Sequence, residues 1–133
     1  MRRIGIGLIA AACLLSVPSV YAHHSFAADY LEDRSVSLQG SVEEFLYQNP
    51  HAILKFRVSD PQGVSVSYAA EWAGAGRLAR IGIKADTLKP GDAVQVTGAP
   101  GRNAAENRLH LKRIVRPSDG WNWGGFGRNG GRR

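Results

Sequence analysis

Apolar and polar residues alternate through most of the chain, and a period of two is typical of β-strands that turn one face toward a core. The first alternating run places an apolar residue or glycine at every second position: Val36, Leu38, Gly40 and Val42. The phase changes at Glu43-Glu44, after which Phe45 and Tyr47 continue the apolar face. The run therefore predicts a strand with a bulge or bend between Gly40 and Glu44.

Four later runs repeat the alternation, and turn-forming residues separate them. Their predicted inward positions are Ala52, Leu54, Phe56 and Val58; Val64, Val66, Tyr68, Ala70 and Trp72; Val94 and Val96; and Leu109, Leu111 and Val115. Asn49-Pro50 predicts a corner before the second strand, and Asp60-Pro61-Gln62-Gly63 predicts a hairpin turn after it. Leu78 and Ile81 lie three residues apart, which predicts the buried stripe of one short helix.

Three strands, a short helix and two further strands are the layout of an all-β, OB-like Greek-key barrel. We predict that residues 34–116 form this five-stranded domain, because closure hides the edges that a small open sheet would expose. Residues 23–33 precede the domain as an arm. Phe26, Tyr30 and Leu31 share one helical face of the arm, which favours its packing on the domain.

Residues 1–22 have the pattern of a secretory signal peptide. A basic start precedes an apolar run from Ile4 to Val17, and Val20 and Ala22 occupy the small-residue positions of a cleavage site. We expect cleavage between Ala22 and His23, which would give a periplasmic or secreted protein. The apolar run is shorter than the ~20 residues that span a bilayer, and no later run competes with it.

Residues 117–133 differ in composition from the domain and predict a disordered tail. Glycines surround Trp121, Trp123 and Phe126, and the chain ends with Arg132-Arg133. Such a segment buries too little surface to offset its ordering entropy. Two interpretations stay open: the tail contacts an anionic surface, or its tryptophans fold back on the barrel.

Charge and cysteine content narrow the functional classes. The full chain has a formal charge of +6, and loss of Arg2 and Arg3 with the signal leaves 15 basic against 11 acidic residues, or +4. Several basic residues belong to the tail, so the domain itself has no strongly basic surface of the kind that binds nucleic acid. Cys13 lies in the signal, so the mature chain would have neither disulfides nor thiolate metal ligands.

Histidines are the main candidates for chemistry. A mature terminus at His23 offers an α-amine and an imidazole that can chelate one transition-metal ion, and His51, after the Asn49-Pro50 corner, is the predicted partner. An all-nitrogen planar site favours copper. His24 offers a rival site through the amine, the amide of residue 24 and its own imidazole. The alternative is that these histidines, like His110 on the outer face of the last strand, are incidental polar residues.

The sequence contains no nucleophile elbow, phosphate loop or His-Glu-x-x-His pattern, so it identifies no catalytic residue and leaves enzymatic activity open. A second functional class is a non-metal envelope module in which Tyr47 and Trp72, near His51, bind a saccharide, peptide or protein. A third class is a structural or interaction protein without a small ligand. Glu71, beside Trp72, could also face a pocket.

Four motifs carry a family resemblance: His23-His24-Ser25-Phe26-Ala27-Ala28, Leu38-x-Gly40-x-Val42, Asn49-Pro50-His51-Ala52, and Leu88-Lys89-Pro90-Gly91-Asp92 with the strand after it. Together they resemble the domain-of-unknown-function 6152 family of small exported bacterial proteins. The resemblance spans about His23 to Val115 and implies importance for His23, His24 and His51. It implies no activity. The region from Trp72 to Ile83 and the tail depart from the pattern we associate with the family.

Overall fold

The structure is a computed structural model that describes residues 25–124. Its elements are, in chain order, α1 (Phe26–Asp29), β1 (Val36–Leu46), β2 (Ile53–Ser59), β3 (Ser65–Glu71), α2 (Ala75–Arg80), β4 (Ala93–Pro100), a single 3-10 turn (Ala104–Glu106), β5 (Arg108–Arg116) and β6 (Trp121–Gly124). The predicted signal peptide, its cleavage site, His23 and His24 lie outside the described residues. No helix of the described part is long and apolar enough to cross a membrane.

The first five strands form a closed barrel, which confirms the predicted all-β fold class. Antiparallel ladders join β3, β2, β1, β4 and β5 in that order. A short parallel ladder between β3 and β5 then closes the ring, with Ala69, Ala70 and Glu71 opposite Arg108, Leu109 and His110. Closure leaves neither β3 nor β5 as a fully open edge.

The predicted irregularity of β1 is present, because the register with β2 shifts between Val42 and Glu44. β1 can therefore bend and pair with both β2 and β4. Gly40 lies where the two backbones come closest: a Cβ atom there would be 2.4 Å from the carbonyl oxygen of Arg57. The alternating run needs glycine at this position for steric reasons.

The barrel interior contains most of the residues that alternation predicts to be inward. The largest fully buried side chains include Trp72, Tyr30, Phe56, Leu54, Leu78, Leu109 and Leu111. The predictions for Val64, Val66 and Ile81 are wrong, since these three side chains are exposed. Val64 and Val66 lie at the far end of the β2–β3 hairpin, where β5 does not pair with β3, and Ile81 follows the end of α2.

The inward prediction for Val115 also needs correction, because Ile114 is the buried residue. Thr97 pairs with Arg113 and Gly98 pairs with Leu111, so Lys112 is an extra residue on β5. This irregularity shifts the alternation by one position in the second half of the strand. Glycine on the partner strand marks the close approach: a Cβ atom on Gly98 would lie 2.5 Å from the carbonyl oxygen of His110.

The predicted disordered tail is wrong for residues 117–124. These residues form a turn and then β6, which pairs with β5 from Arg113 to Arg116. β3 pairs only with the first residues of β5, so the rest of that edge is free to accept β6. The Trp123 ring lies 4.7 Å from that of Trp72, and packing against an existing core provides the burial that the tail lacks alone. Residues 125–133 lie outside the described part.

Trp123→Ala should lower the free energy of unfolding by about 2 kcal/mol, because a large half-buried ring leaves its contact with the core. Urea unfolding followed by circular dichroism measures this change. Asn122→Ala, at the exposed neighbouring position of β6, is the control and should be nearly neutral. Equal stability of the two variants would contradict the packing role of β6.

Candidate functional site

The N-terminal arm, of which the structure describes residues 25–33, lies across one end of the barrel. Ser25 caps α1 by accepting a hydrogen bond from the amide of Ala27 at 3.3 Å. Tyr30 is only 1% exposed and forms an isolated β-bridge with Gly101. The guanidinium of Arg102 donates to the carbonyl of Ala27 at 2.8 Å. The arm is thus fixed to the end of β4 and to the loop after it.

The corner that carries His51 is held by α2 and by the end of β3. The amide of Ala75 donates to the carbonyl of Gln48 at 3.0 Å, and the amide of Ala52 donates to the carbonyl of Ala73 at 3.2 Å. Gly74 packs directly on this corner, since a Cβ atom there would lie 2.4 Å from the carbonyl oxygen of Pro50. His51 therefore leaves a rigid loop and points toward the last residue of β3.

Glu71, that last residue of β3, is the centre of a partly buried polar cluster. Its Oε1 lies 2.6 Å from Nδ1 of His51. Its Oε2 accepts a hydrogen bond from the Tyr30 hydroxyl at 2.5 Å and another from Nη2 of Arg108 at 3.1 Å. The arm, the corner, β3 and β5 each supply one member, so the cluster joins four separate parts of the chain.

The electrostatics of the cluster keep Glu71 charged and Tyr30 neutral. Burial alone would raise the pKa of Glu71, but the hydroxyl of Tyr30, the imidazole of His51 and the guanidinium of Arg108 lower it below its ordinary value. Burial and the hydrogen bond to Glu71 raise the pKa of Tyr30 far above its ordinary value. The Tyr30 hydroxyl is consequently a permanent donor to an ionised carboxylate near neutral pH.

A second histidine–carboxylate pair lies beside the first. Nδ1 of His110 is 2.6 Å from Oε1 of Glu32, and the other oxygen of Glu32 accepts a hydrogen bond from Lys112 at 2.5 Å. Phe26 stacks on His110, with ring centroids 3.6 Å apart and planes within 6°, and its centroid is 4.9 Å from that of His51. Phe26 therefore contacts both imidazoles.

In both imidazoles Nδ1 is the ring nitrogen that lies 2.6 Å from a carboxylate oxygen. An imidazole that donates Nδ1–H to a carboxylate keeps the lone pair of Nε2 for a proton or a metal ion. Among residues 25–124, neither Nε2 atom has a hydrogen-bond partner, and neither belongs to the buried atoms that lack one. The His51 side chain is 36% exposed and that of His110 is 16% exposed, so His51 is the more accessible of the two.

Of the residues predicted from the sequence, His51 takes part in this site. Tyr47 and Trp72 do not form an open face beside it. The hydroxyl of Tyr47 lies 3.0 Å from the carbonyl oxygen of Ala75 and 2.8 Å from that of Ile83, and this holds α2 on the barrel. Trp72 is 1% exposed and belongs to the core. Within residues 25–124, no three histidine, cysteine, aspartate or glutamate side chains are arranged to hold a metal ion.

Sequence reasoning missed four members of the site: Tyr30, Glu32, Arg108 and His110. Alternation correctly places His110 on the outer face of β5, but it does not reveal that the arm covers this face. The expectation that Glu71 could face a pocket was the only signal for the central carboxylate. Its role depends on the parallel register of β3 and β5, which no local pattern specifies.

A family model matches residues 11–110, about three quarters of the chain. The chain belongs to DUF6152, a family of unknown function. The matched range contains His51, Glu71, Arg108 and His110, and it ends before the second half of β5 and before β6. No curated protein and no solved structure matches the chain.

Glu32→Gln should destabilise the protein near pH 7 by about 1 kcal/mol, because it removes the charge that pairs with Lys112 and weakens the hydrogen bond to His110, and both contacts fasten the arm to β5. Asp33→Asn removes the same charge at the next residue and should change the stability little. Urea unfolding of both variants and of the unchanged protein gives the comparison. A larger loss for Asp33→Asn would contradict the fastening role of Glu32.

The same pair predicts a dependence of stability on pH. Burial raises the pKa of Glu32, but the contacts with Lys112 and His110 outweigh burial and lower the pKa below its ordinary value. A carboxylate with a lowered folded-state pKa contributes its stability above the unfolded-state value, and this contribution is lost as pH falls through the folded-state pKa. Between about pH 5 and pH 3, Glu32→Gln should therefore lose less stability than the unchanged protein.

Proposed function

We propose that this protein is exported, is cut between Ala22 and His23, and binds one Cu(II) ion through the amine and imidazole of His23 together with Nε2 of His51. The observation that carries the proposal is the orientation of His51. Its Nδ1 lies 2.6 Å from Glu71, while its Nε2 has no partner among residues 25–124 and the side chain is partly exposed. His51 thus offers one nitrogen donor at the arm.

The distance along the chain allows the mature terminus to reach this donor. Phe26 packs 4.9 Å from His51 and follows His23 by three residues. Three extended residues span at most ~10 Å, so His23 is tethered within a short radius of His51. A chelate from the terminal amine and the His23 ring would then need only one further nitrogen from the fold.

The carboxylate behind His51 supports a ligand role. Metal-binding histidines usually donate their other ring N–H to a carboxylate or carbonyl, which fixes the tautomer and raises the basicity of the ligand nitrogen. Glu71 has this position, and its own orientation is fixed by Tyr30 and Arg108. The cluster would hold His51 in one rotamer without metal and so reduce the ordering cost of binding.

Copper is the metal that this donor set favours. The proposed ligands are nitrogen atoms, and the only cysteine of the chain precedes the proposed cleavage site. Nitrogen donors in a planar arrangement suit Cu(II), which also stands highest among divalent first-row metals in intrinsic affinity. The α-amine has a reference pKa near 8 and must lose its proton, so the affinity should fall in acid.

Copper titration followed by electron paramagnetic resonance tests the ligands on protein that begins at His23. We expect one equivalent of Cu(II) with nitrogen hyperfine structure. An added alanine before His23 should abolish the terminal chelate, and His51→Ala should weaken binding while circular dichroism stays unchanged. If His51→Ala has no effect but His24→Ala abolishes binding, the fold-independent terminal site is correct. Absence of bound copper at neutral pH would overturn the proposal in favour of a non-metal binding module.

Glu71→Gln tests the carboxylate separately from the ligands. We expect a copper affinity that is about 10- to 100-fold weaker, since His51 loses the charge that fixes and polarises its ring. Glu44→Gln removes an exposed carboxylate from β1 and is the matched control, with an expected change below about twofold. An equal effect of both substitutions would show a general charge effect rather than a role for Glu71. Mass spectrometry of the exported protein decides the cleavage site.

A further inference from the structure

A groove lies along β5 between the arm, α2 and β6, and we refer to it as the β5 groove. It consists of two adjoining cavities that share three lining residues, His110, Leu111 and Trp123. The larger cavity has a volume of about 820 Å³ and the smaller about 210 Å³. The larger one is within the size range of small-molecule sites, roughly 300–1,000 Å³.

One end of the β5 groove is cationic. Arg34, Lys112 and Arg113 line it, together with a single carboxylate, Glu32. Glu32 is already occupied by Lys112 and His110. Arg34 and Arg113 have no acidic partner among residues 25–124, so this end holds two exposed guanidinium groups whose charge the described protein does not neutralise.

The other end of the β5 groove is mainly apolar. Phe26 and Ile81 line it above the buried side chains of Trp72 and Leu78. Arg77 is the one charged residue among the lining residues, and Trp123 lines both ends. Ile81 is 56% exposed, and it is one of only three large hydrophobic side chains with such exposure in the described part of the chain. The other two, Val64 and Val66, lie at the end of the β2–β3 hairpin. An exposed isoleucine is thus placed where an apolar ligand would cover it.

We propose that the β5 groove binds a single-chain amphiphile with an anionic head group, such as a medium-chain carboxylate. The head group contacts Arg34 and Arg113, which can form charge-assisted hydrogen bonds with a carboxylate. The alkyl chain of the ligand passes Trp123 and covers Ile81. The protein's own C-terminal segment does not suit the cationic end, because its charge has the same sign. Residues 125–133 contain Arg128, Arg132 and Arg133 and no acidic residue.

This site is independent of the proposed copper site, since none of its head-group contacts is a proposed metal ligand. Laurate, titrated into protein that begins at His23 in the presence of a chelator and below its micelle concentration, is the probe. Isothermal titration calorimetry should give saturable binding of one laurate per chain. Dodecanol has the same chain without the charge and should bind on the order of 10-fold more weakly.

Two pairs of variants separate the ends of the groove from general effects. The double variant Arg34→Gln and Arg113→Gln should weaken laurate binding by about 10-fold or more. The double variant Arg80→Gln and Lys84→Gln removes the same charge outside the groove and should leave laurate affinity unchanged. Ile81→Ser should weaken binding by about fivefold, and Val64→Ser, at a similarly exposed valine outside the groove, should not. All six substituted positions are exposed, so circular dichroism should show an intact fold in each variant.

The proposal is overturned by any of three results. If laurate shows no saturable binding below its micelle concentration, the groove does not bind this ligand. Equal weakening by the two charge variants means that net charge, not the groove, attracts the anion. Equal affinity for laurate and dodecanol means that the arginines do not contact the head group. Loss of copper binding alone leaves the groove proposal intact, because the titration contains no copper.

Discussion

The short parallel ladder between β3 and β5 is the constraint on which the rest of the structure depends. It pairs Glu71 with His110 and closes the barrel. Because the ladder occupies only the first residues of β5, it also leaves the edge from Arg113 to Arg116 for β6. Parallel pairing between distant segments has a high entropic cost of loop closure. Side-chain contacts at the ladder itself must therefore stabilise it.

The cluster around Glu71 supplies such contacts. A half-buried carboxylate is costly without partners, but here it has an arginine from β5, a tyrosine from the arm and a histidine from the corner. Removing any one partner leaves charge or polarity uncompensated at the point where the barrel closes. Closure of the barrel, the position of the arm and the orientation of His51 are therefore parts of one arrangement.

Local sequence patterns predicted what depends on local structure. Alternation located all five barrel strands, and the Glu43-Glu44 phase change located the bulge of β1. It failed where tertiary pairing decides burial: Val66 lies beyond the reach of β5, and Lys112 shifts the phase of the last strand. The prediction of a disordered tail was wrong for the same reason. Composition describes the segment in isolation, whereas in the folded protein Trp123 packs on Trp72.

The candidate site was less predictable than the fold, again for physical reasons. His51 could be selected from the sequence because it follows a proline corner. Glu71 and His110 could not be selected in this way, because their roles depend on the parallel register and on the arm that covers them. The sequence does not show whether a carboxylate or histidine on a strand points into solvent or contacts another polar group.

Phe26 connects the two proposed sites physically. It stacks on His110, contacts His51 and lines the apolar end of the β5 groove. A ligand that fills this end of the groove would favour the position in which Phe26 packs on β5, and the proposed copper site requires the same position of Phe26. Metal binding at the terminus would in turn restrict Phe26 and preserve the wall of the groove. Coupling between two binding equilibria is reciprocal, so any gain in copper affinity caused by the amphiphile must equal the gain in amphiphile affinity caused by copper.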